Sequence, residues 1–228
     1  MRLKGVLLNL AIVVALGLVA WKTSSGWLQI AGAISGLLSV WLVARENIWN
    51  FPVGLVNVVL FFVMFVGARL YADATLQVFF FVLTAWGWYF WLAKRGTASV
   101  KPTERAGVRE SIILGVITVI GTVAWGLLLT RVRDPFPYLD AFTAIVSVIA
   151  QYWLSKKVFE NWVLWIGVDV LSIGMYIGKH LDLTAGLYAV FLGIAIMGYV
   201  TWKRGMSVDA GIGARQVHAP DQGAPASD

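Results

Sequence analysis

The 228-residue chain has no cysteine, which excludes disulfides and thiolate metal sites. Charge is scarce as well, at 13% of residues against 59% apolar, where an ordinary soluble domain carries about 25% charged residues. The chain also has no phosphate-cradling Gly-Lys loop, no HExxH pair, no Gly-x-Ser-x-Gly elbow and no cluster of acids. Enzyme chemistry therefore has no reaction centre, and neither a metal nor a cofactor is expected. What remains is an integral membrane protein built from helices.

Eight apolar stretches run at about 5–21, 27–44, 51–67, 74–92, 111–130, 138–155, 161–178 and 183–202, most of them near the ~20 residues that a spanning helix needs. The first, behind Arg2 and Lys4, has no convincing small-residue cleavage site and reads as a retained anchor helix. Connections are short except 93–110. The plan is an anchor over 1–26, a core over 27–204 and a disordered tail over 205–228, rich in Gly, Ala, Pro and Ser.

A net charge of +6 could point to nucleic acid, but in a membrane chain the position of each base matters more. With eight spans, thirteen of the Lys and Arg residues fall on one side and five on the other, Lys22, Arg69, Arg131, Arg133 and Lys179. Both termini are then expected in the cytoplasm, with no nucleic-acid partner.

Two three-helix blocks repeat weakly, 27–92 and 138–204, either side of a linker helix at 111–130. Trp41-Leu42 answers Trp153-Leu154, while Trp49, Pro52 and Gly54 pair with Trp162, Trp165 and Gly167 at one offset. Gly67-Ala68-Arg69-Leu70 matches Gly178-Lys179-His180-Leu181 only after a two-residue slip. This 3+1+3 plan makes parallel repeats, with a midplane site between the halves. Pro52 reads either as a hinge or as a tolerated first-turn residue.

Asp169 lies inside an apolar run, where a carboxylate costs roughly 2.5–3.5 kcal/mol and needs a partner, a cavity or a ligand. At 100° per residue Trp162, Trp165, Asp169, Ser172 and Tyr176 share one face. Asn50, Gly54, Asn57, Phe61 and Met64 share another, as do Gln77, Phe81, Thr84, Trp88 and Trp91; Asp140, Thr143, Ser147 and Gln151; and Tyr188, Phe191, Tyr199 and Trp202. Amides cannot go unsatisfied in hydrocarbon, so Asn57, Gln77 and Gln151 join Asp169 as ligand candidates. Trp21, Trp27, Trp41, Trp91 and Trp202, near helix ends, read as interfacial belt residues. Thr143, Ser147 and Ser172 read as helix glue. His180 reads as a solvated loop histidine. Aromatic faces, neutral amides and one acid, with no Lys or Arg at membrane depth, suit a planar, polar, neutral or cationic ligand. A phosphate finds no cation.

Asn47-Ile48-Trp49-Asn50-Phe51-Pro52-Val53-Gly54, the Gln77–Trp91 segment with Trp86-Gly87-Trp88-Tyr89, the WxxWxxxD run from Trp162 to Asp169 and the closing segment Phe191–Trp202 occur here in order. Together they resemble the PnuC-type transporters of nicotinamide riboside and related vitamins, over most of 27–204. The resemblance implies a seven-helix core related to SWEET transporters, often with an added N-terminal helix, and a homotrimer in the lipid bilayer of the bacterial inner membrane. It implies facilitated diffusion, with substrate trapped once a cytosolic riboside kinase phosphorylates it. By motif position it carries substrate contact to Trp162, Trp165, Asp169, Gln77 and Trp88; Asn57 and Gln151 rest on helical phase, and Asn50, Thr84 and Tyr188 complete the expected site. Thiamine or riboflavin transport, or proton coupling at Asp169, are the alternatives.

Overall fold

The computed structural model describes residues 26–96, 98–132 and 135–217; the expected anchor helix over 5–21 lies outside them. Seven helices follow one another: α1 Trp27–Ala44, α2 Asn50–Gly67, α3 Tyr71–Ala93, α4 Val108–Arg131, α5 Pro137–Ser155, α6 Asn161–Gly178 and α7 Asp182–Val217. In hydrocarbon a backbone must satisfy its own polar groups, and helices do so within one segment. Six of the described helices, all but α5, are long and apolar enough to cross a membrane.

The polarity of α5 follows from its place. It packs against α3, α4 and α6, and it buries Ala141, Thr143, Val146, Ser147, Ile149, Ala150, Trp153, Leu154 and Ser155. Surrounded by protein on three sides, it has little need for an apolar coat.

The other contacts close a ring. α1 packs on α2, α2 on α3, α3 on α5, α5 on α6, α6 on α7 and α7 back on α1, while α4 stands outside against α5. The outer face of α4 carries exposed Ile112, Val116, Val119, Ile120 and Val123, as a lipid-facing helix does. At its base Lys156, just past α5, donates to both Glu110 carboxylate oxygens at 2.8 Å. Burial works against the charge on Lys156, but the hydrogen bond and charge of Glu110 together with Tyr152 outweigh it and hold the ammonium above the usual lysine range.

Matching features recur 111 residues apart, the separation of Glu46 and Lys157. Helix starts pair as Asn50 with Asn161 and Tyr71 with Asp182, and helix ends as Ala44 with Ser155 and Gly67 with Gly178. Among the described residues four non-glycine residues have positive φ, and they form two such pairs: Glu46 (56°) with Lys157 (58°), and Arg69 (61°) with His180 (56°). The register read from tryptophans is thereby corrected. Phe51, not Trp49, stands where Trp162 does, and the two-residue slip at Gly67 and Gly178 disappears. Trp49 misled because it is 66% exposed whereas Trp162 is 1% exposed; the two share a side chain and not an environment. The final helix also continues to Val217, past the boundary at 204 where a disordered tail was expected.

Pro52 is the third residue of α2. A first-turn proline removes an N–H that has no intrahelical partner, so the helix starts undistorted.

Candidate functional site

The ring helices carry buried or half-buried polar side chains: Asn57 on α2, Gln77 and Thr84 on α3, Gln151 on α5, Asp169 and Ser172 on α6 and Tyr188 on α7. Asp169 sits eight residues into α6, about 12 Å from its start at 1.5 Å per residue. It is 5% exposed and has no hydrogen-bond or ion-pair partner among the described residues. Below it on the same face Trp165 is half-buried, and above it Ser172 is buried. Tyr176 leans on Tyr188 of α7, with ring centroids 5.2 Å apart, and Tyr188 meets Phe191 edge-on at 6.0 Å.

On α3, Gln77 is buried; it borders an open apolar groove of about 190 Å³ between α2 and α3, whose other walls include the exposed Val59, Phe62, Val78 and Phe81 on the outside of the bundle. Thr84, two turns on, accepts a hydrogen bond from Gln151 Nε2 of α5 at 3.0 Å, which ties those two ring neighbours together. Trp88 shares their helical face and is 36% exposed. Asn57 donates to Gly32 O at 2.7 Å and to Ser35 Oγ at 3.2 Å, so its amide clamps α2 to α1. Gly32 and Gly36 allow that approach; a Cβ on Gly36 would stand 3.0 Å from Asn57 Nδ2. Asn50 donates to Asn47 O at 2.7 Å, and Asn161 repeats the bond to Val158 O at 2.6 Å. Asn50 is thus a turn residue at the start of α2 rather than part of the central group.

Trp162 lies lower still, at the first turn of α6. It meets Trp202 edge-on with centroids 5.4 Å apart, as Phe51 meets Trp91 at 5.0 Å. Its indole Nε1 is buried without a hydrogen-bond partner among the described residues. Trp91 and Trp202 themselves touch at 5.8 Å. Their helices, α3 and α7, face each other across the ring, so the four rings close its interior at this end.

Trp91 and Trp202 were expected in the interfacial belt, and both are instead fully buried. Each indole donates to a carbonyl at the end of another helix: Trp91 Nε1 to Leu154 O at 3.2 Å and Trp202 Nε1 to Val43 O at 3.1 Å. Proximity to a helix end located them near an interface, but an inward face put the interface out of reach. Trp91 already shared the stripe of Gln77 and Thr84, and that was the signal to follow.

Sequence reasoning also passed over Lys157, which is 1% exposed and ion-paired with Glu46. No base was expected so far inside. Its ammonium lies 4.8 Å from the Trp91 ring centroid and 5.6 Å from that of Trp202. The connection over 94–107 covers the same end: Glu104 N donates to Lys157 O, Phe159 N to Glu104 O, and Glu160 accepts from Ala106 N at 2.8 Å. No group of three His, Asp or Glu that could hold a metal is found among the described residues.

Comparison with known proteins gives this arrangement a lineage. The nicotinamide riboside transporter PnuC of Escherichia coli strain K12 is 29% identical over 203 residues, covering 77% of this chain and 84% of that protein. The Neisseria mucosa nicotinamide riboside transporter PnuC is 26% identical, covering 78% of this chain and 72% of its own length. The riboflavin/roseoflavin transporter RibM of Streptomyces davaonensis is 27% identical, with coverage of 77% and 84%. The fold is similar to a crystal structure of the vitamin B3 transporter PnuC, with a TM-score of 0.68 and 23% identity over 87% of this chain and 91% of that one. The family described as nicotinamide mononucleotide transporter matches residues 26–204, and the chain belongs to that family, as the PnuC resemblance implied.

Proposed function

We propose that this chain carries nicotinamide riboside across the bacterial inner membrane by facilitated diffusion. The carrying observation is Asp169, a buried acid on a ring helix with no hydrogen-bond or ion-pair partner among the described residues, sharing its helical face with Trp165 and Ser172. Such a carboxylate balances a pyridinium or accepts from ribose hydroxyls. Trp165, Tyr188 and Trp88 supply ring faces, which attract a cationic ring by roughly 0.5–2 kcal/mol. Gln77 offers a full amide to the carboxamide. Asn57, Gln151 and Thr84 use donors or acceptors between helices and have acceptor capacity left for the ligand. Trp162 and Asn50 shape the floor.

The family's description names a mononucleotide, but the ring favours the riboside. A phosphate needs a cation, and the buried base nearest the path, Lys157, is ion-paired with Glu46. Uptake then depends on a cytosolic riboside kinase, whose anionic product finds no match in the path.

The architecture behind this is a 3+1+3 arrangement, α1–α3 and α5–α7 as parallel repeats with α4 as linker. Features recurring 111 residues apart support it. Rocking of the two halves gives alternating access without ATP. The distribution of Lys and Arg supports placing the end with Glu46 and Lys157 in the cytoplasm, together with both termini. The exposed apolar faces leave room for lipid or for the contacts of a homotrimer.

A second reading keeps the fold and changes the vitamin. The likeness to RibM favours riboflavin, whose planar ring would use the same aromatic faces. Calorimetric titration of detergent-purified chain with nicotinamide riboside, nicotinamide mononucleotide, thiamine and riboflavin separates them, with Asp169→Ala as the site control. Riboside binding that the mononucleotide lacks and the variant loses supports the proposal. Riboflavin binding alone replaces the substrate, and binding of the mononucleotide as tight as the riboside removes the missing-cation argument.

A further inference from the structure

The ion pair between Glu46 and Lys157 joins two turns, one after α1 and one after α5, and those helices stand opposite each other in the ring. The contact therefore crosses the interior rather than linking neighbours. It sits beside the second cross-ring contact, Trp91 on Trp202, and Lys157 lies over both indoles. By comparison, Lys179 and Asp140 at the other end join adjacent helices. We propose that Glu46 and Lys157 are the latch of a gate that closes this end of the transport path, parting when the two halves rock and re-forming afterwards. The proposal rests on the transport reading above.

Three features fit a latch better than a static strut. Both residues hold positive φ, near 57°, where glycine is the relaxed choice, yet both turns carry the charged side chains that meet in the ion pair. The pair also costs little to open. Two charges separated into water regain hydration, so a buried ion pair roughly breaks even, whereas parting an equally large apolar seal exposes its surface with nothing returned. Finally, Glu46 is 27% exposed while Lys157 is 1% exposed, so water already reaches one partner at the closed gate.

The chain has no cysteine, so thiols introduced by Glu46→Cys and Lys157→Cys are unambiguous. The double variant is treated with a reducible bis-maleimide and reconstituted in vesicles, with nicotinamide riboside as the probe. Cross-linking is expected to slow uptake at least tenfold, to leave riboside affinity in detergent within about threefold, and to be reversed by reduction. Uptake at the uncross-linked rate would overturn the latch. Absence of uptake by the parent chain, despite binding, would remove the transport reading and the latch with it. Should the double cysteine variant fail to fold, charge exchange carries the test. Glu46→Lys and Lys157→Glu are each expected to lose tenfold or more in uptake, and the combined variant to return within about threefold because the two turns are equivalent. Single reversals that transport like the parent would overturn the latch equally.

Discussion

The indole of Trp162 lies directly on the backbone of Gly198, so that a Cβ there would come within 2.5 Å of ring atoms Cη2 and Cζ2. Gly87, 111 residues earlier, holds the corresponding place, where a Cβ would stand 2.9 Å from Phe51 Cε1 and Ser155 Cβ. These approaches let the aromatic floor form. Gly198→Ala is expected to destabilise by about 1–3 kcal/mol, the usual cost of overpacking, because a fully buried indole cannot swing aside. Thermal unfolding in detergent reads it, and an unchanged midpoint would mean that Trp162 is looser than its burial implies.

Trp91 and Trp202 have equivalent settings, each giving one indole hydrogen bond to a helix-end carbonyl. Trp91→Phe and Trp202→Phe are each expected to cost about 0.5–1.5 kcal/mol for that bond. The double variant should depart from additivity by 0.5 kcal/mol or more, since the rings touch. Additive losses in a double-mutant cycle would argue against energetic coupling across the ring.

Asp169→Asn keeps size and hydrogen bonding while removing the charge. Riboside affinity is expected to fall roughly tenfold, about 1.4 kcal/mol, with the thermal midpoint equal to or above the parent because an unpaired buried charge has been relieved. Calorimetry and unfolding on the same sample check both halves. Loss of stability without loss of affinity would make Asp169 structural.

Arg69 and His180 hold positive φ in exposed turns. Replacing either with glycine removes about 1–2 kcal/mol of strain and adds about 0.5–1 kcal/mol of unfolded-state entropy. A small rise in the unfolding midpoint is expected for Arg69→Gly and for His180→Gly, and a fall would show that their side chains hold the turns.

Pro52 lies in the first turn of α2, so Pro52→Ala is expected to leave uptake within about twofold of the parent. A larger change in rate, with affinity intact, would restore the hinge.

Helix positions were legible because each helix had to hide its own backbone, and apolar runs ending in Gly, Asn or a charge mark where that requirement lapses. Trp27–Ala44 and Asn161–Gly178 match their apolar stretches residue for residue. Asp169 was legible for the same reason in reverse, as a charge where only apolar atoms are cheap. Helical phase placed it beside Trp165 and Ser172, and Gln77 beside Thr84, because phase is local.

Phase says which residues share a face, but not what that face meets. It could not separate Asn57, whose donor is used on Gly32 and Ser35, from Asp169, which has no hydrogen-bond or ion-pair partner among the described residues. Nor could it tell an inward Trp91 from a belt tryptophan.

The sequence by itself determined that the chain is a membrane helix bundle, roughly where each helix runs, which family it belongs to and which acid is out of place. Only the tertiary structure decided that six helices close a ring, that the matching register is 111 residues, and that Glu46 meets Lys157 beside Trp91 and Trp202. The first set follows from the free energy of single segments in hydrocarbon, which neighbouring residues fix. The second depends on contacts between segments distant in the chain, and those energies exist only once the helices have packed.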